Sequence, residues 1–350
     1  MAKIVKKHPH FYQKKWFLWP VGSIVGLVLL ILIAFRVSPW PGALVIRYVF
    51  DKDDVKVAAA LEKHTPAVPI TVVTNQNYRA SDPDALIDAY FPESIKSRQM
   101  RLPVVLWTHG GAWVSGDKDD DAGYYKLLAA AGFTVISADY SLAPEKTYPT
   151  AVHQMNDLYA YMQTNADSLH ADTNNIVLAG DSAGAQLTSQ MAAIITNPAY
   201  AKAMSVTPSL RPAQLKGVVL NCGIYKMDGL VQPNPALPKI VGWGNDASVW
   251  AYLGTRDFSD PAIKQMSAYY HSTAAFPATY IAGGNGDPLT DAQSKPFADK
   301  LESLGVKVTR LFYDSSHQPL LPHEYQFNLD NADGQAALRA TVTFLKERTR

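Results

Sequence analysis

The sequence predicts an α/β fold: a doubly wound, mostly parallel sheet with a small cap region, preceded by one membrane-crossing helix. Three observations carry that expectation. Short apolar runs rich in β-branched residues recur along the chain, helical stretches alternate with them, and an uncharged run of twenty residues stands near the N-terminus. With 350 residues, 47% of them hydrophobic and 18% charged, the chain is large enough to bury one sizeable core. A net charge of +1, with no basic stripe interleaved with aromatics beyond the extreme N-terminus, leaves no footprint for nucleic acid. The single cysteine, Cys222, excludes an internal disulfide and a cysteine zinc cluster. Closing the run "GVVLNC", it reads as a small buried hydrophobe.

The first element is the run "WFLWPVGSIVGLVLLILIAF" between Lys15 and Arg36. At about 1.5 Å per residue it spans about 30 Å as a helix, the thickness of a bilayer's hydrocarbon. Lys3, Lys6, Lys7, Lys14 and Lys15 precede it and basic residues are sparse after it, so the positive-inside rule puts the N-terminus in the cytoplasm. The expected organisation is a basic cytoplasmic tail at 1–15, an anchor at 16–36 with Trp16, Trp19 and Trp40 at the interfaces, and an extracytoplasmic domain at 43–350. A cleaved signal peptide is the rival reading. Against it stand the length of the run and the lack of a small-x-small site before a plausible mature start.

Next, "ALVIRYVFDKDDVKVAAALEKH" spaces its apolar residues as an amphipathic helix. Strands are expected at "ITVVT", "PVVLWTHGG", "FTVISADY", "NIVLAGDS", "KGVVLNC", "ATYIAGG" and "VKVTRLFYD". Helices are expected at "DAGYYKLLAAAG", with Gly132 as its cap, at "TAVHQMNDLYAYMQTNA", at "AGAQLTSQMAAIIT" and at the closing "ADGQAALRATVTFLKER". From about 225 to 272 the rhythm breaks into Pro, Gly and aromatics, which marks a cap insertion over a site at the C-terminal strand ends.

Two motifs carry chemistry. Gly180-Asp181-Ser182-Ala183-Gly184 places Ser182 between a strand and a helix, where a sharp turn lifts the hydroxyl above the sheet edge and tolerates only small neighbours. The helix N-terminus beneath it favours developing negative charge. Upstream, His109-Gly110-Gly111-Ala112 ends a buried strand. There the N–H groups of Gly110 and Gly111, with that of Ala183, are the candidate oxyanion donors, and His109 reads as a brace for the loop.

The order "HGGAW", "DYSLAPEKTYPTAV", "GDSAG" resembles the hormone-sensitive-lipase-like branch of the α/β-hydrolase carboxylesterases, whose patterns are H-G-G-G-x-W, D-Y-R-L-A-P-E-x-x-F-P-A and G-D-S-A-G. The resemblance runs from about Val104 to the C-terminus and implies the α/β-hydrolase fold. It also implies hydrolysis of carboxylic esters, often short-chain acyl or aryl esters, without metal or organic cofactor. The chain departs from the pattern at Ala112, where a third glycine is usual, and at Tyr148, where Phe is frequent; Ala112 reads as tuning of the hole. The membrane anchor is not part of the general pattern.

For the acid, "NGDPLTDAQ" offers Asp287 and Asp291. Thr290 with Gln293 reads as a capping box, which makes Asp291 a first-turn helix residue and leaves Asp287 in the loop past the strand end; "GDPLTD" also resembles the family's D-P-L-x-D. For the base, "DSSHQPLLPHEYQF" offers two histidines. Counting forward from the last strand favours His317. Counting back from the closing helix favours His323, whose spacing resembles the family's and which makes "SSHQPLLP" an insertion lining the pocket mouth and His317 a solvated loop residue. The combined expectation is an anchored serine esterase using Ser182, His323 and Asp287, acting on a small-molecule ester through an acyl-enzyme, with no metal site. A peptidase or amidase of the same fold, and a catalytically silent anchored binding module, stay open as alternatives.

Overall fold

The computed structural model describes residues 15–233 and 237–350. Residues 1–14, and with them most of the expected basic tail, lie outside the described residues.

The chain enters through α1 (Lys15–Val37), whose stretch Trp19–Val37 has a mean hydropathy of 2.4 and no buried residue; only its C-terminal end touches the domain, where the Phe35 ring lies 6.4 Å from that of Trp243. Ser38 and Pro39 separate it from α2 (Trp40–Leu61). The domain is an eight-stranded sheet: β1 (Ile70–Asn77), β2 (Leu86–Pro92), β3 (Leu102–Thr108), β4 (Thr134–Ala138), β5 (Ala171–Asp181), β6 (Leu215–Asn221), β7 (Thr279–Gly283) and β8 (Val308–Phe312), in the order β1-β2-β4-β3-β5-β6-β7-β8. Every pairing from β4 onward to β8 is parallel, while β1 and β2 pair antiparallel at one edge.

Between the strands run α3 (Ala122–Ala130), α4 (Thr150–Thr164), α5 (Ser182–Thr196) with the short α6 (Pro198–Ala203), then α7 (Met227–Leu230), α8 (Lys239–Leu253), α9 (Pro261–Gln265), α10 (Ala268–His271), α11 (Lys295–Ser303) and α12 (Ala332–Arg348). Two apolar layers cover the sheet. One joins α4, α5, α8 and α11 to alternate strand residues; the other joins α3 and α12 to the remaining ones. A central parallel sheet covered on both faces is why its strands read as unbroken apolar runs.

Two details depart from the sequence reading. β2, "LIDAYFP", is absent from the expected strands because Asp88 interrupts its apolar run, yet the strand is buried along nearly its whole length. Its carboxylate accepts the Asn75 N–H at 2.8 Å and lies 3.7 Å from the buried Lys118 ammonium, so the charge is satisfied inside. The capping box at Thr290 and Gln293 does not form. Thr290 Oγ1 donates to Gly284 O at 2.7 Å, and the Gln293 side chain accepts from Tyr225 and Lys226 N–H at 3.1 and 2.9 Å, tying this turn to the start of the 225–272 segment. The chain runs Thr290–Ser294 as a π-turn ahead of α11, and Asp291 points to solvent, 2.7 Å from Lys295 Nζ.

Candidate active site

The strand-to-helix turn puts Ser182 at the first position of α5 with φ 48°, a left-handed conformation that costs a non-glycine residue strain and aims its side chain off the sheet edge. Gly184 makes the turn possible. A Cβ there would collide with the carbonyl oxygens of Thr108 and His109, so the helix lies directly on the end of β3. Gly111 sits at φ +88° in the loop leaving β3, where a side chain would strike Ser115 O. Ala112, in place of a third glycine, is also left-handed at φ 51° and packs its methyl against the core.

Ser182, His323 and Asp287 come together. His323 Nε2 lies 2.9 Å from Ser182 Oγ and Nδ1 lies 2.8 Å from Asp287 Oδ2. A buried carboxylate can only accept, so it fixes the proton on Nδ1 and leaves Nε2 to accept from the serine hydroxyl. Asp287 is 5% exposed, and its Oδ1 also accepts the Leu289 N–H at 2.9 Å. Burial opposes charging of His323, but the neighbouring Cys222 sulfur and Asp287 carboxylate outweigh it and hold the ring well above the ordinary histidine range. Burial in turn pushes Cys222 up and keeps it a neutral thiol, so the carboxylate is the charge we hold responsible.

The segment carrying His323 is pinned from both sides. Leu321, Tyr325 and Phe327 are buried, and Phe327 packs against Trp107 and Tyr124. Asn285, which the sequence reading did not single out, donates to the carbonyls of Asp314 and His317 at 3.1 and 2.9 Å and accepts the Leu321 N–H at 2.9 Å. It fastens the acid's loop to the loop that precedes the base. The stretch 315–322 thus braces the acid loop and contributes nothing to the cavity wall, contrary to the pocket-mouth expectation. His317 is no solvated loop residue either: its Nε2 lies 3.0 Å from Asp333 Oδ2 and its ring packs 4.5 Å from Tyr313, with no contact to Ser182.

The loop after β3 is braced as expected of His109. Its Nδ1 bonds Gly110 O at 3.0 Å, the ring stacks on Tyr140 at 4.4 Å, and burial lowers its pKa to about 4, so it stays neutral. The Gly111 and Ala183 N–H groups find no acceptor among the described residues. The Gly110 N–H faces the Asp181 carboxylate, which also accepts from Trp107 Nε1 at 2.8 Å.

These groups open onto a cavity of about 460 Å³. Leu230, Leu237, Val241 and Ser248 of the 225–272 segment line it, and so do Phe50, Asp54 and Val57 of α2. The part α2 plays in this wall carried no motif in the sequence. Cys222, His323 and Glu324 bring three ligand-type atoms within 4.8 Å of one another, but both ring nitrogens of His323 are already taken by Ser182 and Asp287, which leaves no donor set for a metal ion.

Comparison with known proteins places the chain among relatives. A family model described as the alpha/beta hydrolase fold matches residues 105–319. An arylesterase of Saccharolobus solfataricus is 33% identical over 262 residues, covering 74% of this chain and 80% of the relative. A relative from Acanthamoeba polyphaga mimivirus, described as an alpha/beta hydrolase, is 28% identical over 219 residues, 60% of this chain and 59% of its own. The esterase LipI of Mycobacterium tuberculosis is 30% identical over 224 residues, 63% and 65% respectively. The chain therefore spans less than two thirds of the length of these last two. Among solved structures, esterase B of Lactobacillus rhamnosis, inhibited by a tributyrin phosphonate, superposes with a TM-score of 0.72 over 89% of this chain and 96% of the other at 19% identity, a likeness of fold.

Proposed function

The chain belongs to the α/β-hydrolase fold family, and from that premise we propose that it is a serine hydrolase of carboxylic esters with short acyl chains. One observation carries the reading: a single imidazole bridges a strained serine at 2.9 Å and a buried carboxylate at 2.8 Å. Ser182 attacks the ester carbonyl while His323 Nε2 takes its proton, and Asp287 stabilises the imidazolium without accepting the proton itself. The N–H groups of Gly111 and Ala183, which find no acceptor among the described residues, hold the oxyanion, while the Gly110 N–H, expected as a third donor, is turned to the Asp181 carboxylate. His323 returns the proton to the leaving alcohol, and water then enters by the same route to release the acid from the acyl-serine. Relatives named arylesterase and esterase support the ester class, and a cavity of about 460 Å³ suits a small acyl group.

The test is Ser182→Ala. It lowers kcat for p-nitrophenyl acetate and butyrate by roughly 10⁴-fold or more and abolishes labelling by a fluorophosphonate, with the thermal transition preserved. Undiminished turnover refutes the assignment.

The same reading places the enzyme at the cell membrane, anchored by α1 in a single pass with its domain on the extracytoplasmic side. Ile24, Leu27, Leu30 and Leu32, each more than half exposed on α1, support it, since hydrocarbon is the environment that removes such a stripe from water. Resistance of the chain to alkaline extraction from membranes, and digestion of its domain by protease added outside intact cells, are the expected results.

A further inference from the structure

The cavity has a lopsided charge. Besides Asp287, it is lined by Asp53, Asp54, Asp120, Asp121, Asp181 and Glu324, and by no lysine or arginine. Most of these carboxylates have partners. Asp53 pairs with Lys56 at 2.9 Å, Asp181 accepts from Trp107, Asp120 accepts the Asp117 N–H at 2.7 Å, and Glu324 Oε1 stands 3.6 Å from His323 Nε2, where it pairs with the ring once that ring is protonated. Two do not.

Asp121 is 6% exposed and occupies the cap position of α3, yet it accepts no hydrogen bond from that helix. Its side chain makes no hydrogen bond or ion pair with any described residue, and the face it keeps open is part of the cavity wall. Asp54, half-buried on α2, likewise has no partner among the described residues and lines the same cavity. A buried carboxylate without partner is costly, and an enclosed wall of one sign focuses the field on whatever fills the space before it. Burial first, then repulsion from Asp120 and Glu324, pushes Asp54 up to about 7; Asp121 is raised by burial and by Asp181 and Glu324. Both carboxyls are therefore easier to protonate than an ordinary aspartate, and a cation seated beside them would favour their charged form.

The geometry also selects the kind of cation. Among the described residues, no three carboxylates of this wall bring ligand atoms within 4.8 Å of one another, so a small metal ion lacks a coordination shell. A larger organic cation, whose charge is spread over methyl or methylene groups, needs no such shell. The ring of Phe50, which lines the cavity beside Asp53 and Asp54, adds an aromatic face suited to it.

We propose that the substrate is an ester carrying an alkylammonium group, seated against Asp54 and Asp121 while its carbonyl lies at Ser182. The proposal rests on the ester-hydrolase reading above. The experiment compares butyrylcholine with its uncharged isostere 3,3-dimethylbutyl butyrate, using the full chain in detergent. The ratio of their kcat/KM values cancels any loss of correctly folded protein. Wild type prefers the choline ester by about tenfold or more, and Asp121→Asn and Asp54→Asn each reduce the ratio severalfold, as loss of one nearby charge predicts. A wild-type ratio within twofold of one, or a ratio unchanged in both variants, overturns the proposal and leaves the esterase standing. Hydrolysis of neither ester, together with a Ser182 that does not react with fluorophosphonate, overturns the esterase reading and the substrate class with it.

Discussion

Replacing Asp287 by Asn tests how much of the proposed chemistry depends on one buried charge. The Asp287 oxygen lies 2.8 Å from His323 Nδ1, which puts the centres of carboxylate and imidazolium about 4 Å apart. At an effective dielectric of about 20 that pair contributes about 4 kcal/mol, or about a thousandfold in rate at 1.36 kcal/mol per decade. The amide adds a second fault. Its NH₂ group, turned to Nδ1, donates where the ring should donate, so Nε2 carries the proton and cannot accept one from Ser182. The oxygen that accepts from Leu289 N–H is retained in Asn, so the loop keeps its shape. The pH profile supplies an independent readout. A base works only when neutral, so kcat/KM climbs as pH rises through the His323 pKa, which Asp287 holds above the ordinary value. Removing the carboxylate lowers that pKa and moves the acid limb to lower pH. Steady-state hydrolysis of p-nitrophenyl butyrate between pH 5 and 9 measures both effects. A loss below tenfold with an unmoved acid limb refutes the reasoning.

Two further outcomes separate neighbouring residues. His323→Ala reduces p-nitrophenyl butyrate hydrolysis by roughly 10³-fold or more, whereas His317→Ala, which removes contacts to Asp333 and Tyr313 but none to Ser182, stays within about threefold of wild type; the opposite pattern makes His317 the base. Asp54→Asn changes stability with a defined sign. With Asp54 raised to about 7, the folded state holds a proton that the unfolded chain releases near pH 4, so stability falls as pH climbs from about 4 to 7. The variant therefore melts about 1–2 °C above wild type at pH 8 and level with it near pH 4, measured by differential scanning calorimetry; equal melting at pH 8 contradicts the assignment.

Periodicity was a reliable guide where one local rule governed the chain. The parallel strands read as apolar runs because helices cover both faces of the sheet, and α12 matches its expected stretch because its ends carry ordinary capping chemistry: Asn331 accepts the Asp333 N–H at 2.9 Å. It failed where a distant residue decided the outcome. Asp88 hid β2 because its partner, Lys118, is thirty positions away, and the helix start expected at Thr290 gave way to bonds reaching Gly284 and Tyr225. In the site, the elbow at Ser182 and the glycines after β3 were legible because each needs a specific backbone shape. The competition between His317 and His323 rested on spacing alone, and the spacing could not reveal that Asn285 lashes the intervening loop to the acid's loop. The acidic wall was equally out of reach, since α2, the start of α3 and the turn after His323 meet only in three dimensions.

The contact between Gly184 and the end of β3 has a mechanical consequence. Nucleophile and backbone N–H groups are usually thought of as separate parts that must each be held still. Here the helix that begins with Ser182 rests on the carbonyls of Thr108 and His109, the residues from which the Gly110–Gly111 loop departs. Hydroxyl and amides thus share one seat, so the position of α5 and that of the loop are set by the same contact. Alignment in this site therefore depends on that joint, and a methyl group at Gly184 would put hydroxyl and amides out of register together.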